Sequence, residues 1–452
     1  MTDKFDDDWD DGTADDLGAD PEPIEAVEGR GRLAARLPDG SGYLIVEGPG
    51  AGSVVADSSG STVREAAALP NRDAALDGTR PLFLIHRSYN FAQALPRLLA
   101  NVHAAAGANL ALGVVSPLPH VSEDSHRTIH NKCAAAAVHI VDPLGYFAAS
   151  GDLRLPPLSN RAQGRAPYLV GAPATVTDIL DFQRDRGANL LLTSGQALDP
   201  VDPQRSLDAV CREGDNALAS LAPGERLALN LTFSARWLTH ASLRDKLLAQ
   251  LLDQEQFDTW YVRVQWSASL RSYAQPADEQ LLRGYQRLAE VAIDENRRLL
   301  LPQTGLTGWF MLAQGAAGFG MGISGTDQAF REDSGGGGPA PVIERYFERQ
   351  LLHTIERTAR PALVADPRYI QCAGPYCPPL FSGAAWSREY AGLHQLFNAG
   401  TLAAAAAPAI AGPAGPRGAV RRAVRAAVAF AAGKGLAGIS EPRHLQVWDR
   451  LL

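Results

Sequence analysis

The chain has little cysteine, and the four residues it has are too sparse for a disulfide framework. They occur among 452 residues, whereas disulfide-built domains concentrate theirs in short chains. No apolar run reaches the ~18 residues that a membrane-spanning helix needs. The start is acidic and lacks the basic and then apolar pattern of a signal peptide. These absences argue against a secreted disulfide scaffold and a membrane span, and they predict a cytoplasmic protein.

Acidic residues outnumber basic ones, but the excess of negative charge is confined to the first 30 residues. The net charge is −8. Residues 1–30 carry 12 Asp/Glu and two basic residues, a net of −10, which leaves +2 for the remainder. This stretch has too few apolar side chains to offset the entropy of ordering, which predicts a disordered acidic tail. The tail either keeps the chain in solution or docks on a basic partner, and the near-neutral body lacks a broad nucleic-acid footprint.

Apolar strand-like runs alternate with helical patterns from residue 81 onward. Such alternation is typical of parallel β/α units. Eight strands close a barrel, so the sequence predicts an α/β fold of the (β/α)8 TIM type, with an open doubly wound sheet as the alternative. The eight predicted strands are residues 82–86, 110–115, 137–141, 189–194, 227–233, 260–266, 299–303 and 318–324.

Composition sets the predicted domain boundaries. Strand patterns at 42–48 and 53–57 lie in a Gly-, Ser- and Pro-rich stretch before the barrel. A glycine run follows the barrel, and an amphipathic helix pattern at 341–360 comes next. The predicted units are a disordered tail, a small β-containing extension, the barrel, a linker and a helical C-terminal extension, at residues 1–30, 31–80, 81–333, 334–341 and 342–452.

Polar residues alternate with apolar ones in the later strands. On the strand at 260–266, Arg263 and Gln265 share the face that points toward the barrel axis. Buried polar groups need partners, because an unpaired one costs ~1–3 kcal/mol, and Arg263 needs a carboxylate or a phosphate. The pattern indicates either a binding site or a satisfied structural network. The substrate-binding residues predicted on these strands are Asn230, Thr232, Arg263, Gln265 and Gln303.

Glycines cluster after the last two predicted strands. Backbone N–H groups and a helix N-terminus at this end of a barrel commonly bind phosphate, but glycines also permit tight turns. Both interpretations stay open. The residues predicted to bind phosphate are Gly305, Gly308, Gly320, Gly322, Ser324 and Gly325.

Asp142 ends the third predicted strand, in the sequence HIVDPLGYF. Barrel enzymes hold catalytic carboxylates at this position, although Asp before Pro also starts turns. His86 and His120 lie at strand ends and are secondary candidates for proton transfer.

Cys372 and Cys377 form a C-x4-C pair, and His394 follows 17 residues after Cys377. Zinc sites normally use four ligands, and only three are near in sequence. The pair is interpreted as free thiols, with zinc as the alternative, and no metal site is assigned.

The order of these motifs resembles that of the tRNA-guanine transglycosylase superfamily, whose members are (β/α)8 barrels. Residues 107–120 resemble its second-strand segment. Asp142-Pro-Leu-Gly-Tyr-Phe resembles its Asp-Ser-Gly-Gly-Phe/Tyr loop, and residues 175–195 resemble the helix and strand that follow. Residues 372–400 resemble a reduced form of its cysteine-rich zinc region.

The resemblance implies base exchange or a related glycosyl transfer on a nucleoside or on a nucleic acid such as tRNA. Asp142 would bind the base edge. Asp327 is the nearest carboxylate to the position of the family's nucleophile, and it would attack the anomeric carbon, as carboxylate nucleophiles do.

Two other interpretations remain open. One is an enzyme that acts on a phosphorylated metabolite or uses a flavin, and the other is a catalytically inactive barrel used for binding. The basic stripe Arg417, Arg421 and Arg425 would contact a nucleic-acid backbone or form a solvated helix face.

Overall fold

A computed structural model describes most of the chain in two compact units, Met1–Ala68 and Leu69–Leu452. The acidic tail and the predicted strand at 53–57 lie outside the described residues. Those residues are 33–36, 43–46, 71–87, 93–172, 174–267, 275–323, 328–332, 343–381 and 386–452.

The first unit contains an antiparallel strand pair. β1 (Leu33–Arg36) pairs with β2 (Tyr43–Val46), and Leu33 lies opposite Val46. β2 falls inside the strand pattern predicted at 42–48, whereas its partner β1 was not predicted as a strand.

Eight parallel strands form the centre of the second unit, and each coincides with one predicted strand. Their order in the sheet is β5-β4-β3-β10-β9-β8-β7-β6. The strands are β3 (Leu82–His86), β4 (Ala111–Pro117), β5 (Val138–Asp142), β6 (Leu191–Leu192), β7 (Leu227–Ser234), β8 (Thr259–Gln265), β9 (Arg298–Leu301) and β10 (Gly318–Gly322).

The sheet is nearly closed into a barrel. β3 and β10, the first and last strands of the series, pair along their whole length. At the remaining seam, the backbone N–H groups of Asn189 and Leu190 donate to the His139 oxygen of β5 at 2.9 and 3.3 Å. The Asn189 side chain adds bonds to the His139 nitrogen and the Ala137 oxygen. The structure is thus an α/β fold with a nearly closed, barrel-like sheet, as the (β/α)8 prediction required at this coarser level.

Helices alternate with the strands. Several have strong start signals, such as the capping box of Thr175 and Asp178 and the Asp202 cap before Pro203. The helices are α1 (Arg72–Asp77), α2 (Leu95–Ala106), α3 (Glu123–Lys132), α4 (Asn160–Arg165), α5 (Val176–Asp185), α6 (Pro203–Ala219), α7 (Arg236–Thr239), α8 (Ala241–Leu252), α9 (Glu279–Asp294) and α10 (Gly305–Leu312).

Strand side chains alternate between the barrel interior and the helix layer. On β8, Trp260 and Val262 pack with the helices, whereas Tyr261 packs inside the barrel. The predicted faces are thus confirmed, and the same alternation directs Arg263 and Gln265 inward.

The segment after the glycine run is a β-hairpin, so the amphipathic helix predicted at 341–360 is wrong. β11 (Arg345–Glu348) pairs antiparallel with β12 (His353–Glu356). Between them Leu352 has φ 48°, a left-handed conformation that an α-helix does not use. Tyr346 and Ile355, which lie opposite each other, pack in one apolar cluster. Packing of the two strands on the later helices decides the structure here.

The rest of the C-terminal part is helical and packs on the barrel. Trp309 of α10 donates from Nε1 to the Leu402 oxygen at 3.1 Å, and Phe310 stacks on Trp448 with ring centroids 4.8 Å apart. The helices are α11 (Arg360–Val364), α12 (Cys377–Phe381), α13 (Arg388–Ala405), α14 (Pro408–Ala411), α15 (Gly415–Ala431) and α16 (His444–Leu451). Across the described ranges, none of the helices is long and apolar enough to pass through a bilayer.

Candidate functional site

Polar side chains meet inside the carboxyl end of the barrel around Arg263. Its Nη2 donates to Asp142 Oδ2, its Nε donates to Gln303 Oε1 at 2.8 Å, and its Nη1 donates to Thr232 Oγ1 at 3.3 Å. These residues come from β8, β5, β7 and the turn after β9. The structure therefore brings together four of the residues predicted to form the site.

The Arg263–Asp142 pair is shielded from water. The two side chains are only 1% and 2% exposed. Burial alone would lower the pKa of Arg263, but the Asp142 carboxylate offsets this and the pKa is raised, so the guanidinium stays charged. The anionic partner that Arg263 requires is thus a carboxylate of this chain and not a phosphate.

The turn after Asp142 fixes its carboxylate. The Leu144 N–H donates to Asp142 Oδ1 at 3.0 Å, and Leu144 itself has φ 53°. The Gly145 N–H donates to the Ser194 oxygen at 2.8 Å, and a Cβ on Gly145 would lie 2.3 Å from that same oxygen. Asp142 is therefore a turn residue, as one of its two interpretations predicted, and its catalytic role stays a prediction.

Aromatic rings cover the guanidinium. The Arg263 Cζ atom lies 5.1, 5.6 and 5.8 Å from the ring centroids of Tyr146, Tyr261 and Phe330. The Tyr146 and Phe330 rings also contact each other, with centroids 5.2 Å apart. Phe330 could not be predicted from the sequence, because contacts with distant residues hold its segment at the barrel mouth, among them backbone bonds to Gln303 and Trp266.

Residues 143–155, here called the covering segment, lie over this end of the barrel. Leu153 packs with Tyr146 and Phe330. Gln265 holds the segment at both amide atoms: Oε1 accepts from the Arg154 nitrogen and Nε2 donates to the Arg154 oxygen, both at 3.0 Å. Gln265, predicted to bind substrate, thus binds the covering segment.

Replacing Gln265 by leucine is expected to loosen the covering segment. Each lost hydrogen bond is worth ~0.5–1.5 kcal/mol, so amide hydrogen exchange in residues 148–155 should accelerate about tenfold. Gln183→Leu is the matched control. It removes a similar pair of amide bonds, here to the Leu192 backbone of β6. Equal exchange in both variants would contradict the role of Gln265.

Other predicted residues line the interior without completing a polar network. Asn230 Nδ2 donates to the Thr193 oxygen at 3.1 Å, while Asn230 Oδ1 and His86 Nε2 are buried without a partner among the described residues. Burial, and then Arg263, lower the pKa of His86 to about 3. His86 is thus neutral and a weak base. The backbone oxygen of His120 accepts from Arg165 of α4 at 3.1 Å, and burial, followed by Arg165, lowers the pKa of His120.

The glycine-rich end is filled by protein groups. At the start of α10, the N–H and Oγ1 of Thr307 donate to Gln275 Oε1 at 3.0 and 2.8 Å. A Cβ on Gly305 would lie 2.9 Å from the Gln328 oxygen, and one on Gly320 would lie 2.6 Å from His86 Nε2. These two glycines make room for neighbouring groups.

The remaining residues that were predicted to bind phosphate lie in other surroundings. Gly322 lies beside His86 in the strand register, and Gly308 packs on Phe319. Ser324 and Gly325, and with them the predicted nucleophile Asp327, lie outside the described residues.

A second polar cluster lies away from the barrel mouth. The ligand atoms of Cys372, Cys377 and His394 all lie within 4.8 Å of one another. Asn398, one turn after His394, contacts His394 Nε2 through Nδ2 at 3.2 Å and accepts from the Cys372 thiol at 3.6 Å. The Cys377 thiol and then the His394 ring lower the pKa of Cys372 well below its ordinary value. The sequence indicates these three residues but no metal site. Because their ligand atoms lie together in the structure, they form a candidate metal site.

Comparisons with known proteins give no family for the chain. No protein-family model matches it, and no curated protein matches it. The chain is similar to HAL3 from Cryptococcus neoformans in its crystal structure, at 12% identity over 48% of this chain and 97% of that chain, with a TM-score of 0.15. So low a score supports no inference about fold or function, and the resemblance to tRNA-guanine transglycosylases stays a prediction.

The basic stripe on α15 is partly engaged within the chain. Arg417 Nε donates to the Leu452 oxygen at 3.2 Å, and Arg425 Nε lies 3.1 Å from Asp449 Oδ1. All three stripe arginines are exposed. Contacts to α16 and the C-terminal residue therefore account for two of the three, which favours the solvated-face interpretation.

Proposed function

We propose that the chain is a barrel enzyme of base exchange, or of a related glycosyl transfer, on a nucleoside or nucleic acid. The observation that carries the proposal is Asp142, a carboxylate at the carboxyl end of β5 whose two oxygens are oriented by Arg263 and by the Leu144 N–H. The resemblance of its loop to the transglycosylase loop supplies the reaction class. In this scheme Asp142 binds the base edge through the lone pairs that these two donors leave free.

The transfer itself needs a nucleophile, and Asp327 is the proposed one. Its carboxylate oxygen bonds to the anomeric carbon as the bond from that carbon to the departing base breaks, and the incoming base then displaces the carboxylate. Asp142 ends β5, and Asp327 comes five residues after the end of β10 in the sequence. Active sites of such barrels lie at the carboxyl ends of the strands.

The second cluster fits the zinc that the resemblance implies. Two thiols and an imidazole are the donors that zinc prefers, and His394 Nδ1 is buried without a partner in the described part of the chain. Cys372, Cys377 and His394 would hold the ion. When bound, zinc would tie α12 and the segment before it to α13.

Substrate access requires the covering segment to move. Asp142 is only 2% exposed at its side chain, and the Tyr146 and Phe330 rings lie over its partner Arg263. The Ser234 hydroxyl donates to Asp152 Oδ2 at 2.9 Å, and Gln265 is a further polar link between the covering segment and the barrel wall. Opening at this link would let a planar base reach the carboxylate.

The test is incorporation of [14C]guanine into total tRNA by the purified full chain. Asp142→Asn is expected to lower the rate at least 100-fold, the lower end of what a positioned acid–base group contributes (~10²–10⁴). Glu213→Gln is the control, because Glu213 is a partly buried carboxylate that likewise accepts from a backbone N–H, and it also accepts from a hydroxyl, both of Ser194. Incorporation that Asp142→Asn leaves unchanged would contradict the proposal.

Binding without turnover is the second candidate function. It is favoured by the full pairing of Arg263 and by the aromatic cover above it. The distinguishing result is saturable binding of guanine to the unaltered chain with no label transferred to tRNA. In that case the barrel retains its ligand pocket and has lost the reaction.

A further inference from the structure

The Cys372–Cys377–His394 cluster draws its ligands from three successive segments. Cys372 precedes α12, Cys377 is the first residue of α12, and His394 lies in the second turn of α13. Cys377 and His394 are buried, whereas Cys372 is half-buried. A metal bound here is therefore reached from solvent on the Cys372 side.

The described residues supply three ligands and no fourth. No other His, Cys or carboxylate of the described ranges joins the cluster. Glu348, the nearby buried acid, accepts from the Tyr346 and Tyr369 hydroxyls at 3.2 and 3.3 Å and from the Gln350 N–H at 3.1 Å. These bonds engage its oxygens, and Glu348 is not among the residues whose ligand atoms come together.

The groups around the ligands hold the cluster in place. Asn398 Nδ2 also donates to the His394 backbone oxygen at 2.8 Å. Arg349 Nη1 donates to Asn398 Oδ1 at 3.1 Å and to Thr401 Oγ1 at 2.6 Å. Outer partners of this kind orient metal ligands and raise metal affinity. The cluster is thus ordered by the fold before any metal arrives.

We propose that this cluster binds zinc or a similar divalent metal through three protein ligands and leaves the fourth position to an exchangeable small donor, such as water, an imidazole or a thiolate. Structural zinc sites are closed by four protein ligands, whereas three protein ligands and an open position are typical of reactive zinc. The inference rests on the metal assignment made under the proposed function and is independent of the base-exchange reaction. It makes the cluster a second ligand-binding site, which takes small oxygen, nitrogen or sulfur donors.

Cobalt substitution of the full chain tests the proposal. Purified apo protein is titrated with Co²⁺, and the thiolate-to-cobalt and visible absorption bands are recorded before and after addition of imidazole. The expected result is one Co²⁺ per chain with four-coordinate bands that shift when imidazole enters the open position. Bands that imidazole does not move, or no stoichiometric cobalt binding, would overturn the proposal.

Variants assign the bands to the cluster. Cys377→Ser is expected to reduce Co²⁺ affinity by more than the ~10–100-fold that loss of an outer partner causes. Cys211→Ser is the matched control, because Cys211 is also a partly buried free thiol but lies on α6, outside the cluster. Equal cobalt affinity in the two variants would place the metal elsewhere and refute the assignment. The unaltered chain carries the imidazole test even if Cys377→Ser does not fold.

The two proposals fail separately. A chain that binds cobalt and imidazole but transfers no guanine loses the reaction and keeps this site. A chain that transfers guanine with an imidazole-insensitive cobalt spectrum keeps the reaction and has a closed metal site.

Discussion

Lowering the pH from 7 to 5 is expected to destabilise the folded chain by several kcal/mol. Burial lowers the pKa of His86 and of His126 to about 3 and that of His353 to about 4. It also lowers the pKa of His444 well below its ordinary value. These histidines stay neutral in the folded chain at pH 5, whereas in the unfolded chain they take up protons below pH ~6.5.

The direction of this change in stability follows from which state, folded or unfolded, binds more protons. The unfolded state binds more protons than the folded state between pH ~6.5 and about 4, so the free energy of unfolding falls as the pH falls through this range. At pH 5 each histidine loses about 2 kcal/mol, from ~1.36 kcal/mol for each pH unit. Burial raises the pKa of Glu213 and Glu348, which act in the opposite direction. The combined loss is comparable with the ~5–15 kcal/mol that stabilises a typical domain.

Urea denaturation at several pH values measures this effect. The slope of the free energy of unfolding against pH between 6.5 and 5 should fall by up to ~1.4 kcal/mol per pH unit when His353 is replaced by glutamine. His240→Gln is the control, because His240 is exposed and should leave the slope unchanged. A free energy that stays constant from pH 7 to 5 would show that the buried histidines are protonated in the folded chain.

Arg263→Ala is expected to cost ~3–5 kcal/mol of stability, the usual result of leaving one member of a buried ion pair without its partner. The loss comes from the Asp142 carboxyl group, which would be left without its cationic partner in a site that excludes water. The double variant Arg263→Met, Asp142→Asn removes both charges and should recover most of the loss.

Arg226→Ala is the comparison for a surface arginine. Arg226 also pairs with carboxylates, Asp77 at 2.9 Å and Asp258 at 2.7 Å, but both are more than half exposed. Its loss should cost at most ~1 kcal/mol. Denaturation midpoints of the three variants measure these losses of stability. Equal losses for Arg263→Ala and Arg226→Ala would mean that the barrel ion pair is hydrated.

The barrel could be predicted from the sequence because its signals are local. Each strand is a short apolar run between helical patterns, and the alternation on β8 was enough to direct Arg263 inward. That Arg263 needs an anion also followed from its chemistry. The identity of that anion did not, because Asp142 lies 121 residues earlier and meets Arg263 only when the sheet curls.

The parts that could not be predicted depend on contacts between distant segments. The β11–β12 hairpin has a helix-like apolar pattern, and packing on the later helices makes it extended. The glycines after β9 and β10 were predicted to bind phosphate. The sequence does not show that the side chains of Gln275 and His86 lie beside two of them, Gly305 and Gly320. The spacing of Cys372, Cys377 and His394 matches no zinc motif, and the packing of α12 on α13 brings them together.

Trp309 and Phe310 connect the barrel to the C-terminal helices. Both residues belong to a barrel helix, yet Trp309 is hydrogen-bonded to α13 and Phe310 is stacked on a ring of α16. A fragment that stops at the end of the barrel would present these two indole and phenyl surfaces to water. The barrel and the C-terminal helices thus share apolar contacts. We expect the barrel without these helices to be less soluble than the full chain.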